Sequence, residues 1–259
     1  MTDKVALKIA YIGTCFHGYA RQPTVPTVEG TIIEKLLEKQ IIESVKKAQI
    51  RCASRTDKHV SAVTNIMTFY TDEYLKNVLY SLKDEFESIF PYGITKVSED
   101  FNPRYALKRR YQYFLPKHKF STESLKNALS LFVGEHNFSN FARIEIHRNP
   151  VKTIDVITVV ENQEFIQIEI TAQLFLWNQI RRIIEVAIKY CKGKISLSEI
   201  QNALDNTEKT VDFNIAPATP LILKTIEYPN LTFFEPDQLK QCKSQVVYSV
   251  KQEITNLVF

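Results

Sequence analysis

Residues 4–12 alternate apolar and polar positions with the period of a strand. The next patterned stretch, "PTVEGTIIEKLLEKQII" from Pro26, changes to helical spacing. Ile32, Ile33, Leu36, Leu37 and Ile41 fall on one face, and Thr27 stands where an N-cap belongs. Residues 49–54 and 60–70 return to strand patterning, the second alternating like a half-buried strand. "DEYLKNVLYSLKDEF" predicts a second helix, with Leu75, Val78, Leu79, Leu82 and Phe86 at helical spacing, and "YGITKVSE" predicts a closing strand. The order β-α-β-β-α-β is the ferredoxin-like arrangement.

The second half repeats this order without repeating the sequence. "RRYQYFLPK" predicts a strand, "STESLKNALSLFVGEH" a helix opened by Ser121 or Thr122, and "VKTIDVITVVENQEFIQIEITAQL" a long hairpin. "FLWNQIRRIIEVAIKYCKG" predicts a helix with Gly193 just past its end. "SLSE" opens a short helix in capping-box form, and "PLILKTIEYP" closes with a strand. The expected fold is α+β: two ferredoxin-like (RRM-like) βαββαβ halves with adjoining antiparallel sheets and a central cleft. The expected division is an N-terminal half at 1–103, a C-terminal half at 104–235 and a helical extension at 236–259.

Composition narrows the function classes. A hydrophobic content of 44% over 259 residues is enough for a real core. No run approaches the roughly 18 apolar residues of a membrane span, and the first residues enter a strand pattern directly, so an intracellular, cytoplasmic protein without a membrane partner is expected. A net charge of +4 is compatible with a polyanionic partner. Cys15, Cys52, Cys191 and Cys242 form no C-x-x-C pair, and the five histidines show no metal spacing. With six glycines and no glycine-rich phosphate loop, ATP or dinucleotide chemistry is disfavoured.

The stretch "RCASRTDKHVSAVTNIMTFYT" sets Asp57 among Arg55, Lys58 and His59 immediately before a predicted strand. Cationic neighbours keep a carboxylate ionised, and an ionised carboxylate in a partly closed site can serve as nucleophile or base. Alone, the stretch favours an exposed aspartate in a turn, pairing with its neighbours. A second basic cluster, Arg104, Lys108, Arg109 and Arg110, falls in "FNPRYALKRR" at the junction of the halves, where a solvated linker is the competing reading.

"ASRTDKHVSA" resembles the signature A-G-R-T-D-x-G-V-H-A of the TruA family of tRNA pseudouridine synthases; Arg55, Thr56, Asp57 and Val60 match, whereas Ser54, His59 and Ser61 depart. "IAYIGTCFHGYARQP" resembles the family opening through Tyr11, Gly13, Phe16, Gly18 and Gln22, with Ile12 at a usual Asp. "TVEGTIIEKL", "FNPRYALKRRYQYFL", "VGEHNFSNFAR", "FLWNQIRRII" and "APATPLILKTIEYP" are similar to further family motifs, with departures at Gln179, Glu185 and Pro220. The similarity runs in order through residues 7–229 and is closer to archaeal or eukaryotic-like members than to the bacterial form.

The resemblance implies isomerisation of uridine to pseudouridine in tRNA, with the anticodon stem-loop around positions 38–40 as target. The alternatives are another tRNA site or a catalytically inactive RNA-binding protein on the same scaffold. It implies no metal, no organic cofactor and no small-molecule cofactor partner, with tRNA as the partner and a homodimer as the assembly. It makes Asp57 the catalytic carboxylate, Arg181 its cationic partner and Tyr111 the ring that stacks on the target base. Tyr113, on the same strand face, is expected in the core. Leu221 is expected to wall the base pocket. Arg55, Arg104 and Arg110 are the substrate-binding candidates, with Lys108, Arg109 and Arg182 as weaker charge-based ones.

Overall fold

The computed structural model describes residues 2–254 and 257. Its elements in chain order are β1 (Asp3–Tyr11), α1 (Val28–Glu38), α2 (Val45–Ala48), β2 (Arg51–Cys52), β3 (Ser61–Thr71), α3 (Leu75–Leu82), β4 (Ile89–Lys96), β5 (Lys108–Pro116), α4 (Thr122–Ser130), β6 (Gly134–Asn137), β7 (Val151–Ile154), β8 (Val156–Glu161), β9 (Phe165–Ala172), α5 (Gln179–Cys191), α6 (Leu197–Asp205), β10 (Leu221–Glu227) and α7 (Cys242–Ile254). They fall into two compact units, one formed by residues 1–107 with 222–253, the other built on 108–221. None of the described helices is long and apolar enough to cross a membrane.

In the first unit the strands run β4-β1-β3-β2, all neighbours antiparallel, which is the order of the ferredoxin-like sheet. Thr27 caps α1 as its sequence position predicts, its side chain accepting from the Gly30 N–H at 3.2 Å. Ile32, Ile33 and Leu36 are buried, while Leu37 is partly exposed and Ile41 is buried beyond the helix end. The strand expected over 49–54 shrinks to Arg51–Cys52. Gln49 takes left-handed backbone before it, and the Ser54 carbonyl after it accepts from the Asn65 amide at 2.8 Å instead of joining the ladder. α3 ends at Leu82, so Phe86 lies outside it.

β3 is buried from Ser61 to Phe69, on both faces, where alternation suggested one wet face. Thr64 hydrogen-bonds the Tyr92 hydroxyl at 2.6 Å, whereas the buried Thr68 hydroxyl has no partner among the described residues. The segment after β10 covers the second face of this sheet. Glu235 pairs with Lys8 of β1 at 2.5 Å, the Lys8 ammonium lies 4.1 Å from the centroid of Phe233, and Lys243 approaches the Tyr92 ring at 4.6 Å. α7 contributes Cys242, Val246 and Val250, four apart, to the core. β10 pairs in parallel with β3 through Ile222 and Leu223. These contacts group 222–253 with 1–107, a partition different from breaks at 103 and 235, and they make the tail part of a core. The end of the expected extension lies outside the described residues.

In the second unit β9 lies between β5 and β8, antiparallel to both, so the predicted hairpin is β8-β9. β7 bends away to pair with β6 in a separate two-stranded sheet. The helix expected over 121–136 stops at Ser130, with Ser121 as its cap. Gly134, at φ +104°, turns the chain out of helical geometry and into β6. α5 packs against α4. α6 carries the predicted capping box, Ser196 and Glu199 each accepting from the other's backbone N–H.

Candidate active site

The Asp57 turn, in the first unit, is held from beneath. Asp57 accepts the Val60 N–H at 3.1 Å through its backbone carbonyl, closing a turn, and its side chain is half-buried. Thr56, 7% exposed, is fixed at both ends: its hydroxyl hydrogen-bonds the Tyr11 hydroxyl at 2.8 Å and its carbonyl accepts the Tyr19 N–H at 3.1 Å. Asn65 on β3 donates to both the Tyr11 hydroxyl, at 3.3 Å, and the Ser54 carbonyl. Gly13 lies so close that a Cβ there would stand 2.2 Å from the Val60 carbonyl oxygen. Its N–H donates to Ser61 Oγ at 2.9 Å, which explains how a buried serine is satisfied at that departure from the family signature.

His59 replaces a glycine of that signature and adopts φ +68°, the left-handed region glycine enters without penalty. Its ring Nδ1 is buried with no hydrogen-bond partner among the described residues. The turn therefore holds a non-glycine residue in left-handed backbone, at a conformational cost. Arg55 and Arg104 are exposed, and both bear on Cys52. Burial pushes that thiol up to about 11, against the pull of the two guanidiniums, so it stays protonated at neutral pH.

In the second unit, β5 places Tyr111 and Tyr113 on one face. Tyr111, 9% exposed, meets Phe175 edge-on with ring centroids 5.3 Å apart. Tyr113 is a core residue, as expected, and donates to the Pro217 carbonyl at 3.0 Å. Burial raises its phenol well above the ordinary tyrosine range, against the nearby Arg181 charge. Arg181 is half-buried at the start of α5. Its Nε donates to the Ala216 carbonyl at 2.8 Å while its own carbonyl accepts the Ala216 N–H at 3.2 Å. The adjacent Arg182 pairs with Asp212 at 3.0 Å. The two arginines thus hold one segment at two points, Asp212 and Ala216. Leu221 is 5% exposed and Arg110 is half-buried.

Arg109 does not suit phosphate contact. It is 4% exposed and its guanidinium donates to the Gln173 carbonyl, so it braces the chain after β9. Lys108 remains exposed, 3.8 Å from Asp155. Sequence reasoning missed the Tyr11–Thr56–Asn65 network, because hydroxyls and amides on buried strands carry no periodic signal. It also missed the Arg143–Trp177 stack described below. Among the described residues, no group of three His, Cys, Asp or Glu could hold a metal ion.

A family model described as tRNA pseudouridine synthase matches residues 128–229. Curated relatives called tRNA pseudouridine synthase A are similar across most of the chain. The one from Thermococcus kodakarensis is 37% identical over 89% of this chain and 86% of its own length. That from Pyrococcus horikoshii is 39% identical over 89% and 87%, and that from Pyrococcus abyssi is 38% identical over 97% and 95%.

Proposed function

The chain belongs to the tRNA pseudouridine synthase family, enzymes that isomerise uridine to pseudouridine in tRNA, and we propose that Asp57 carries that chemistry here. The reaction breaks the C1′–N1 bond of a uridine, turns the base and forms a C1′–C5 bond, with the C5 proton lost and N1 reprotonated. Asp57 acts at the ribose, as nucleophile on C1′ or as base. The observation that carries this reading is the Asp57 turn, pinned through Thr56, Tyr11, Asn65 and Gly13 while the carboxylate side chain stays half-buried. A reacting group held by packed neighbours reaches its substrate already oriented.

Tyr111 stacks on the target base and helps remove the C5 proton, a role supported by its steadying contact with Phe175. Arg181 supplies the cation that orients the catalytic carboxylate, supported by its double tie to Ala216. Leu221 walls the base. Arg55, Arg104 and Arg110 hold phosphates, the first two supported by their exposure. The target uridine lies in the anticodon stem-loop, around positions 38–40, and the enzyme works in the cytoplasm as a homodimer. Mapping pseudouridine in tRNA from cells with and without the protein tests the reading. Loss confined to positions 38–40 is the expected result, and an unchanged map overturns it.

A further inference from the structure

We infer that Trp177, stacked by Arg143, is a platform for an unpaired nucleobase within one or two nucleotides of the target uridine. The inference rests on the proposed tRNA reaction and adds a binding residue to it. Trp177 lies on the loop between β9 and α5, in the run Leu174-Phe175-Leu176-Trp177. Four consecutive large apolar residues outside a strand or helix would ordinarily be buried. Here Leu174 is 42% and Trp177 43% exposed. Solvent-facing apolar clusters of this kind mark binding surfaces.

The loop is rigid by construction. Arg109 donates to the Gln173 carbonyl, Gln179 Oε1 accepts the Leu176 N–H at 2.8 Å, and the Trp177 carbonyl accepts the Arg143 N–H at 2.8 Å. The Arg143 guanidinium lies 4.1 Å from the indole centroid, so the side chain is stacked before any ligand arrives. A pre-stacked aromatic with an adjacent cation suits a base together with its phosphate. Phe175, two residues earlier, meets Tyr111. Trp177 follows Phe175 by two residues, at most about 7 Å of chain, so a strand whose target base lies on Tyr111 passes close to Trp177.

Trp177 is the chain's one tryptophan, so its fluorescence reports this site alone. Titrating the full-length Asp57→Asn protein with an unmodified tRNA transcript should quench that emission in step with binding measured independently by filter retention. In the otherwise unaltered enzyme, Trp177→Ala should raise KM for tRNA about tenfold, the lower part of the range for losing one stacked base. Its kcat should stay within about twofold, and Trp177→Phe should restore most of the KM. Emission unmoved at saturating tRNA, or an unchanged KM in Trp177→Ala, overturns the inference. A fall in kcat and melting temperature with KM unchanged assigns Trp177 a merely structural role and overturns it too. Absence of pseudouridine formation by the unaltered enzyme would instead count against the proposed reaction.

Discussion

Asp57 is held by residues that do no chemistry themselves. Replacing its carboxylate by an amide removes the proposed reacting group and leaves those supports in place. Asp57→Asn should therefore abolish pseudouridine formation in a single-turnover assay. It should bind tRNA within about tenfold of the unaltered protein, because phosphate contacts dominate affinity. Gly13→Ala makes the converse case. The added Cβ meets backbone, which cannot rotate away as a side chain would. The Val60 carbonyl must move, and the turn that begins at Asp57 moves with it. A loss of about 3 kcal/mol in denaturant unfolding is expected, with activity falling further than stability explains. Full activity in a folded Gly13→Ala protein would show that the turn tolerates displacement.

At the scale of elements, α5 carries both Arg181 and Arg182 of the second unit. Glu185, a departure from the family motif, is half-buried one turn after Arg181. Burial raises its carboxyl above the ordinary value of 4.5, and Lys189, Lys192 and Lys194 only partly oppose this. A carboxyl raised in the folded state binds its proton more tightly folded than unfolded. It favours folding at low pH, and that contribution is lost as pH rises from the unfolded value through the folded one. Glu185→Gln should accordingly raise the melting temperature at pH 7, and its advantage should shrink as the pH falls toward 4.5 and below. Melting curves of both proteins across pH 4–8 check this. An advantage that grows on acidification would reverse the assignment.

At the scale of the whole molecule, the basic residues divide by where the fold puts them. Arg104 is exposed, whereas Arg109, five positions along, is buried against a backbone carbonyl. If Arg104 neutralises a phosphate, Arg104→Ala should reduce the slope of log K against log salt by about 0.7–0.9, whatever the tRNA sequence. Arg109→Ala should leave that slope alone and destabilise the protein by roughly 1–3 kcal/mol, through the lost hydrogen bond to the Gln173 carbonyl and the space left by a buried side chain. Binding isotherms at several salt concentrations, with melting data beside them, separate the two. Equal slopes for Arg104→Ala and the unaltered protein would remove Arg104 from the RNA path.

Local pattern alone determined most of the elements. Thr27, Ser121 and the Ser196–Glu199 box identify helix starts because a cap is a contact within four residues. Period-two and helical spacing located β1, β3, β5, α1 and α5 for the same reason, and the family motif drew attention to Asp57. Tertiary structure decided what depends on distant neighbours. It shortened the strand at 49–54 to two residues, ended α4 at Ser130, and covered the second face of the sheet that holds β3 with chain that begins more than 150 positions later. It also separated Arg109 from its exposed neighbours and stacked Arg143 on Trp177. Burial is a property of what packs on a surface, and a sequence pattern records only the surface that its own element prepares.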